Sequence, residues 1–218
     1  MILLEPAVAL TDLGLAVENA VFAGLLARLP SSDTTMRRWW MLFFAGLALA
    51  ALLGFVSHGL LVDKLLPLHQ WIWSGTLLSI GVIALAATAV AAGLALDTRL
   101  ARTVVRVAVL LLAIYVIVVV AGYRSFGLAV AAYAPATLFL LVAFVHRTRQ
   151  DSARHWRLGI GGLALTVVAA TIQQLGIGLH PENFNHNALY HVIQAPALWM
   201  LYGTARASLR AGVRAYLH

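Results

Sequence analysis

Seven stretches of apolar residues dominate this chain, and each is long enough to cross a membrane as a helix. They lie at about 6–29, 39–62, 70–95, 102–123, 126–146, 157–178 and 185–209. Because 62% of the 218 residues are hydrophobic and only 11% are charged, a soluble domain of this size could not bury so much apolar surface. The sequence therefore predicts an all-α polytopic membrane protein, with residues 1–218 forming a single domain of seven transmembrane helices.

The positive charges lie almost entirely on one side of these helices. Lys64 and Arg124 fall on the poorer side, and thirteen arginines fall on the richer side. The thirteen are Arg28, Arg37, Arg38, Arg99, Arg102, Arg106, Arg147, Arg149, Arg154, Arg157, Arg206, Arg210 and Arg214. Since Lys and Arg accumulate in cytoplasmic loops, the richer side is predicted to be cytoplasmic. The N-terminus is then outside and the C-terminus inside.

Composition excludes several classes of protein. The chain has no cysteine, so it has neither disulfides nor thiolate metal ligands. The net charge of +7 sits in short loops between apolar runs, where it signals membrane topology and not nucleic-acid binding. The first run carries Asp12 and Glu18 and no basic segment precedes it, so we expect a transmembrane helix there and not a cleaved signal peptide.

The polar residues of the seven runs share one depth, the outer half of the bundle. Helices 1, 3 and 7 run inward and helices 2 and 6 run outward. The N-terminal residues of helices 1, 3 and 7 are therefore expected at the same depth as the C-terminal residues of helices 2 and 6. They are Thr11, Asp12, Glu18, Asn19, Ser57, His58, His69, Gln70, Ser74, Gln173, Gln174, His186, Asn187, His191 and Gln194. Because ionisable and amide side chains are costly inside a bilayer, this concentration predicts a functional site.

Several of these residues suit metal binding. Histidine is a common zinc ligand, and a catalytic zinc site uses three protein ligands plus a water. His58 and His191 are the first candidates for a Zn²⁺ site, and His186 is the third. A spacing of five rotates His186 and His191 about 140° apart on a helix, so His186 would have to lie in a non-helical cap, with Asn185 as the N-cap residue. The other candidates for the third ligand are His180, Asp12 and Glu18.

Each residue also has a purely structural interpretation. Histidines at helix ends often lie at the headgroup interface, which fits best His69, His146, His155 and His218. Carboxylates and glutamines can join helices by hydrogen bonds, and serines can bond to their own helix; this applies to Asp12, Glu18, Gln173, Gln174, Gln194, Ser57 and Ser74. Arg124, the lone outer arginine, is either an interface anchor or a contact for an anionic headgroup.

The arrangement resembles a known superfamily. Seven helices with the N-terminus outside, Ser57-His58 near the end of helix 2, and a His-rich start of helix 7 are similar to the alkaline ceramidases and progestin/adipoQ receptors. The resemblance implies a zinc held by one histidine of helix 2 and two from an H-x-x-x-H motif of helix 7, with His58 and His191 as ligands. A nearby Ser and Asp assist, and hydrolytic members cleave a ceramide-like amide. This chain departs from the pattern at two positions, with Asn187 in place of the first helix 7 histidine and Gly54 in place of the serine. Residues 185–194 also resemble uncharacterised bacterial seven-helix proteins.

These observations favour a zinc-dependent membrane hydrolase that acts on a lipid amide or ester from the outer leaflet. Zinc would activate a water and polarise the carbonyl group. Ser57, Asp12 or Glu18 would transfer the proton or stabilise the oxyanion. This hypothesis expects His58 and His191 to lie within a few ångströms of each other.

The main alternative is a metal-free receptor that holds a lipid headgroup or small molecule with the same residues. A transporter or proton relay would need polar residues in the inner half, where the sequence has almost none. A haem carrier would need facing histidine pairs, and a retinal protein would need an intramembrane lysine, whereas Lys64 lies in a loop. A structural subunit of a larger complex is a further alternative. The expected location is the bacterial inner membrane, as a multi-pass protein.

Overall fold

Seven α-helices follow one another in the described part of the chain. The computed structural model describes residues 3–61, 63, 65–180 and 183–215. The helices are α1 (Pro6–Ala27), α2 (Thr34–Gly59), α3 (Pro67–Ala95), α4 (Thr98–Val120), α5 (Phe126–Gln150), α6 (Arg154–Gln174) and α7 (His186–Ala215). The number of helices and their order confirm the fold class predicted from the apolar runs.

Helix boundaries follow from capping residues that hydropathy does not detect. Asp33 accepts a hydrogen bond from the backbone N–H of Met36 at 2.8 Å, so α2 begins at Thr34, five residues before the predicted start at 39. A carboxylate at this position satisfies an N–H group that has no partner within the helix. Between α4 and α5 the chain turns at Gly122, whose φ of 103° is a conformation that glycine adopts readily.

Six helices, α1 to α6, are long and apolar enough to cross a membrane by length and composition. Helix α7 is the longest at 30 residues, but its first turns carry His186, Asn187, His191 and Gln194, which lower its mean hydropathy. Helix α7 nevertheless runs antiparallel along α6. The Gln173 amide donates to the Asn187 side chain at 3.1 Å near one end, and the Thr204 hydroxyl donates to the His155 carbonyl at 2.9 Å near the other.

Six of the helices form a ring. Each helix of the ring contacts the next one in the order α1, α2, α3, α5, α6, α7, and α7 contacts α1. Helix α4 packs against α3 on the outside of this ring. It has the highest mean hydropathy of the six spans and the smallest buried share, as expected of a helix that faces lipid on most of its surface.

Aromatic side chains fill one half of the ring. Phe22 stacks on Tyr202 with ring centroids 4.4 Å apart, and Phe144 lies 6.4 Å from Trp40 and 6.0 Å from Trp156. This aromatic plug, formed by these five residues with Phe43 and Phe44, lies in the half that the charge count predicts to be cytoplasmic. Among the described residues these rings fill that end of the ring. The opposite half is called the outer half below.

The orientation of the ring stays a prediction, and reporter fusions test it. Green fluorescent protein fused after residue 218 should fluoresce, and alkaline phosphatase fused there should be inactive, because the arginine-rich end is retained in the cytoplasm. Fusions after Asp63, in the α2–α3 connection, should give the opposite pair of results. Active phosphatase at the C-terminus would reverse the assigned orientation.

Candidate functional site

A cavity of about 200 Å³ lies inside the ring, in its outer half. The wall of this cavity that lies towards the aromatic plug is apolar and includes Leu15, Leu47, Ile83 and Leu198. The polar lining of the cavity comes from α1, α2, α3, α5, α6 and α7. These side chains are Asp12, Asn19, His58, Thr76, Tyr133, Gln173, Asn187, Tyr190, His191 and Gln194. Seven of the fifteen residues that the sequence places at one depth therefore surround one space, which we call the central cavity.

Asp12 and His191 form the most buried polar pair of this cavity. The His191 Nε2 atom lies 3.3 Å from Asp12 Oδ1, and the two side chains are 11% and 6% exposed. On the other side of the imidazole, Nδ1 lies 3.0 Å from the Thr11 hydroxyl. Both ring nitrogens of His191 are thus held by α1. These contacts fix the direction of the imidazole ring and join α7 to α1.

The Thr11 hydroxyl determines how this pair can share its protons. It lies 2.8 Å from the Ala7 carbonyl of its own helix, to which it donates its one hydrogen. It therefore accepts from the N–H at Nδ1 of His191. Two arrangements then satisfy the contact with Asp12: a protonated carboxyl that donates to Nε2, or an imidazolium that donates to the carboxylate. Both have zero net charge, as a site in a low-dielectric region requires.

Gly54 of α2 makes room for the carboxylate. A Cβ atom at position 54 would lie 2.9 Å from both Asp12 oxygens and 3.0 Å from Asp12 Cγ. No side chain fits there while Asp12 stays in place. Asp12 Oδ2 has no hydrogen-bond partner within the described part of the chain.

The predicted histidine ligands are only partly brought together. His58 and His191 line the same cavity, and the Nδ1 atom of His58 also lies 3.5 Å from Glu5 Oε2. His186 is the first residue of α7 and does not line this cavity. Asn185 is the N-cap predicted from the sequence and accepts from the N–H groups of Asn187 and Ala188. Among residues 3–61, 63, 65–180 and 183–215, no three His, Asp or Glu side chains are grouped to hold a metal ion.

Three other predicted site residues lie outside the central cavity. Ser57 makes a hydrogen bond of 2.9 Å with His69 Nε2. Glu18 is half-buried on α1, and its Oε2 atom has no partner among the described residues. His180 is exposed in the α6–α7 connection and accepts from the Asn183 N–H at 3.1 Å. The helical geometry of α1 explains why Glu18 lies outside the cavity. Glu18 follows Asp12 by six residues and is therefore about 120° away around the helix.

Sequence reasoning missed the burial of His69, which is 8% exposed and paired with Ser57. A signal was present in the α2–α3 hairpin. Ser57 lies two residues before the end of α2, and His69 lies two residues after the start of α3. Residues at equal distances from a turn lie at equal depth in an antiparallel pair of helices. Tyr133 and Tyr190, which also line the central cavity, had no comparable signal.

Unsatisfied acceptors mark the lining of the central cavity. Gln194 donates to the Thr166 hydroxyl at 3.3 Å, but its Oε1 atom is buried without a partner in the described residues. The same holds for Asn19 Oδ1 and Asp12 Oδ2. Since a buried acceptor without a donor costs about 1–3 kcal/mol, these three side chains are suited to a molecule that carries N–H or O–H groups.

Comparison with known proteins assigns the chain to a family. Residues 7–210 match the family of unknown function DUF6962, so the chain belongs to that family. No curated protein and no solved structure matches it.

The contact between Gly54 and Asp12 gives a direct test of the site. We expect Gly54→Ala to displace the carboxylate from His191 and to lower the free energy of unfolding by about 1–2 kcal/mol, as overpacking of a filled interior does. The matched control is Gly14→Ala on α1, where a Cβ atom meets nothing within 4 Å. This control should be neutral or slightly stabilising, because alanine favours the helix. Thermal unfolding in detergent measures both, and equal stability of the two variants would contradict the described packing.

Proposed function

We propose that this protein binds a small polar molecule, or the polar end of an amphipathic one, in the central cavity. The observation that carries the proposal is the set of three cavity-lining residues, Asp12, Asn19 and Gln194, whose buried oxygens have no donor within the described chain. A ligand with hydroxyl, amine or amide N–H groups would supply those donors. The Asp12–His191 pair would exchange a proton with such a group without changing the charge of the site.

The size of the cavity limits the ligand. Its volume of about 200 Å³ corresponds to roughly six or seven water molecules at about 30 Å³ each. Cavities for drug-sized ligands usually exceed about 300 Å³. The ligand that fits is therefore a small solute or a headgroup, and an attached acyl chain would have to remain outside the cavity, among the helices or in the bilayer.

The closed inner half favours binding over transport. Below the cavity, Trp40, Phe43, Phe44 and Phe144 are fully buried and in mutual ring contact. A transport path would need polar groups or space through this layer. In this proposal the protein is a multi-pass protein of the bacterial inner membrane that receives its ligand from the outer side.

Molecules that co-purify with the protein test this proposal. We expect mass spectrometry of extracts from detergent-purified wild type to detect a bound small molecule or lipid. Its occupancy should fall about tenfold or more in Asp12→Asn, which removes a charge-assisted hydrogen bond, and in Ala50→Leu, which fills the cavity. Glu18→Gln is the control, because this carboxyl lies outside the cavity. Equal occupancy in all four proteins would contradict binding at this site.

A second candidate function is zinc-dependent hydrolysis of a lipid amide or ester. One specific distance favours it. The separation of 3.3 Å between Asp12 Oδ1 and His191 Nε2 equals the distance expected between two ligands of a tetrahedral zinc with bonds of about 2.0 Å. His58 lines the same cavity and is the candidate third ligand. The described side chains do not assemble all three, so we assign no reaction step to the metal. Bound zinc would supply an activated water and a Lewis acid.

Metal content separates the two candidate functions. If the protein is a zinc enzyme, mass spectrometry of the purified protein should find close to one zinc per chain. That content should fall by about tenfold or more in His58→Ala and in His191→Ala, since each variant removes one of three ligands. His146→Ala is the control, because His146 is exposed on α5 and hydrogen-bonded to Gln150. Zinc that is absent from folded wild type, or retained in both site variants, would contradict the zinc proposal and leave the ligand proposal untouched.

A further inference from the structure

A second cavity, of about 450 Å³, lies nearer the outer end of the ring than the central cavity. We call it the outer cavity. Its lining includes Ser57, His69 and Arg124, and it shares His58 and Trp73 with the central cavity. Nothing in the proposed function uses Ser57, His69 or Arg124.

Neutral groups hold Arg124 in a fixed position. Its Nε donates to the Ser74 hydroxyl at 2.7 Å, and one terminal nitrogen donates to the Gln70 side chain at 3.1 Å. The guanidinium also lies 5.9 Å from the ring centroid of Trp71. The main chain is fixed as well, because the Trp73 indole donates to the Arg124 carbonyl at 3.0 Å. An arginine that only anchored the protein at the membrane surface would not need this set of partners.

No ion pair of the described residues includes Arg124. In residues 3–61, 63, 65–180 and 183–215 the ion pairs are Glu5–His58 and Asp12–His191, and neither includes Arg124. A guanidinium has five N–H donors, and two of these are used by Ser74 and Gln70. The three remaining N–H donors lie on the two terminal nitrogens of a planar fork, whose geometry matches the oxygens of phosphate groups.

Further donors face the same cavity. Ser57 and His69 are 6% and 8% exposed and share a hydrogen bond of 2.9 Å. This pair has a hydroxyl and a ring N–H, of which only one is used between them. A buried pair of hydrogen-bonding groups beside an arginine that has no ion-pair partner among the described residues provides the charge and the hydrogen bonds that an oxyanion needs.

We propose that the outer cavity is a binding site for a phosphate group, held by the guanidinium fork of Arg124 and by the Ser57–His69 pair. The phosphate belongs either to the headgroup of an anionic phospholipid or to a free phosphate ion. Arg124, Ser57 and His69 do not line the central cavity, although the two cavities share His58 and Trp73. The proposed site gives the lone outer arginine a specific role.

Binding to the full-length protein in detergent tests the proposal at constant ionic strength, with chloride as the balancing anion. The probes are inorganic phosphate, dihexanoyl phosphatidylglycerol and the uncharged dihexanoylglycerol. We expect wild type to bind inorganic phosphate, the phosphatidylglycerol or both, and not to bind dihexanoylglycerol. Phosphate alone would identify a free ion as the ligand, and the phospholipid alone would identify a headgroup. Arg124→Gln should weaken binding by about tenfold or more, as expected for hydrogen bonds to a charged group.

The control is Arg149→Gln, near the C-terminal end of α5, where the arginine is exposed. It removes the same charge and should leave binding unchanged. If Arg124→Gln does not fold, Arg124→Lys replaces it as the test variant. The lysine ammonium keeps the charge but lacks the planar fork of the guanidinium, so this variant should bind phosphate several-fold more weakly than wild type. The proposal is overturned if neither phosphate probe binds wild type, if Arg149→Gln weakens binding as much as Arg124→Gln does, or if Arg124→Lys binds as tightly as wild type.

Discussion

The contact between Asp12 and His191 is the interaction on which the outer half of this bundle depends. A lone carboxylate or a lone imidazolium would be costly at this depth, whereas the pair has no net charge. The pair also sets the local packing. It joins α1 to α7, it requires a glycine at position 54 of α2, and Thr11 directs the imidazole. Three helices are therefore positioned around a single contact of 3.3 Å.

The two halves of the ring have different tasks. In one half, aromatic rings from α1, α2, α5, α6 and α7 fill the space and close the bundle. In the other half, polar side chains surround a central cavity, with an outer cavity beside it. In the proposed function, this arrangement admits a ligand from one side and holds it. The aromatic half supplies the stability that a partly empty, polar half lacks, because tight packing is what stabilises helices in lipid.

Much of the fold could be predicted from the sequence, because membrane thickness fixes the length of each apolar run and the arginines fix their alternation. The sequence also placed Asp12, His58 and His191 at one depth, and all three line the central cavity. Rotation about each helix axis was not predictable. Asp12 and Glu18 have the same chemistry and similar depth, but only Asp12 lines the central cavity. The position of α4 outside the ring was likewise hidden, since helix order in a ring depends on packing between side chains distant in sequence. His69 was assigned to the interface because its partner, Ser57, lies across a hairpin.

The absence of cysteine from the chain allows the most direct test of this account, which is labelling of single introduced cysteines. A membrane-impermeant thiol reagent is added from the side of the α6–α7 connection, and labelling is followed by mass spectrometry. We predict that Asn187→Cys, in the lining of the central cavity, reacts. Ala143→Cys, which lies in the closed aromatic half and is 0% exposed, should not react from either side. Labelling at position 143 with protection at position 187 would contradict a bundle that is open at its polar end and closed at its aromatic end.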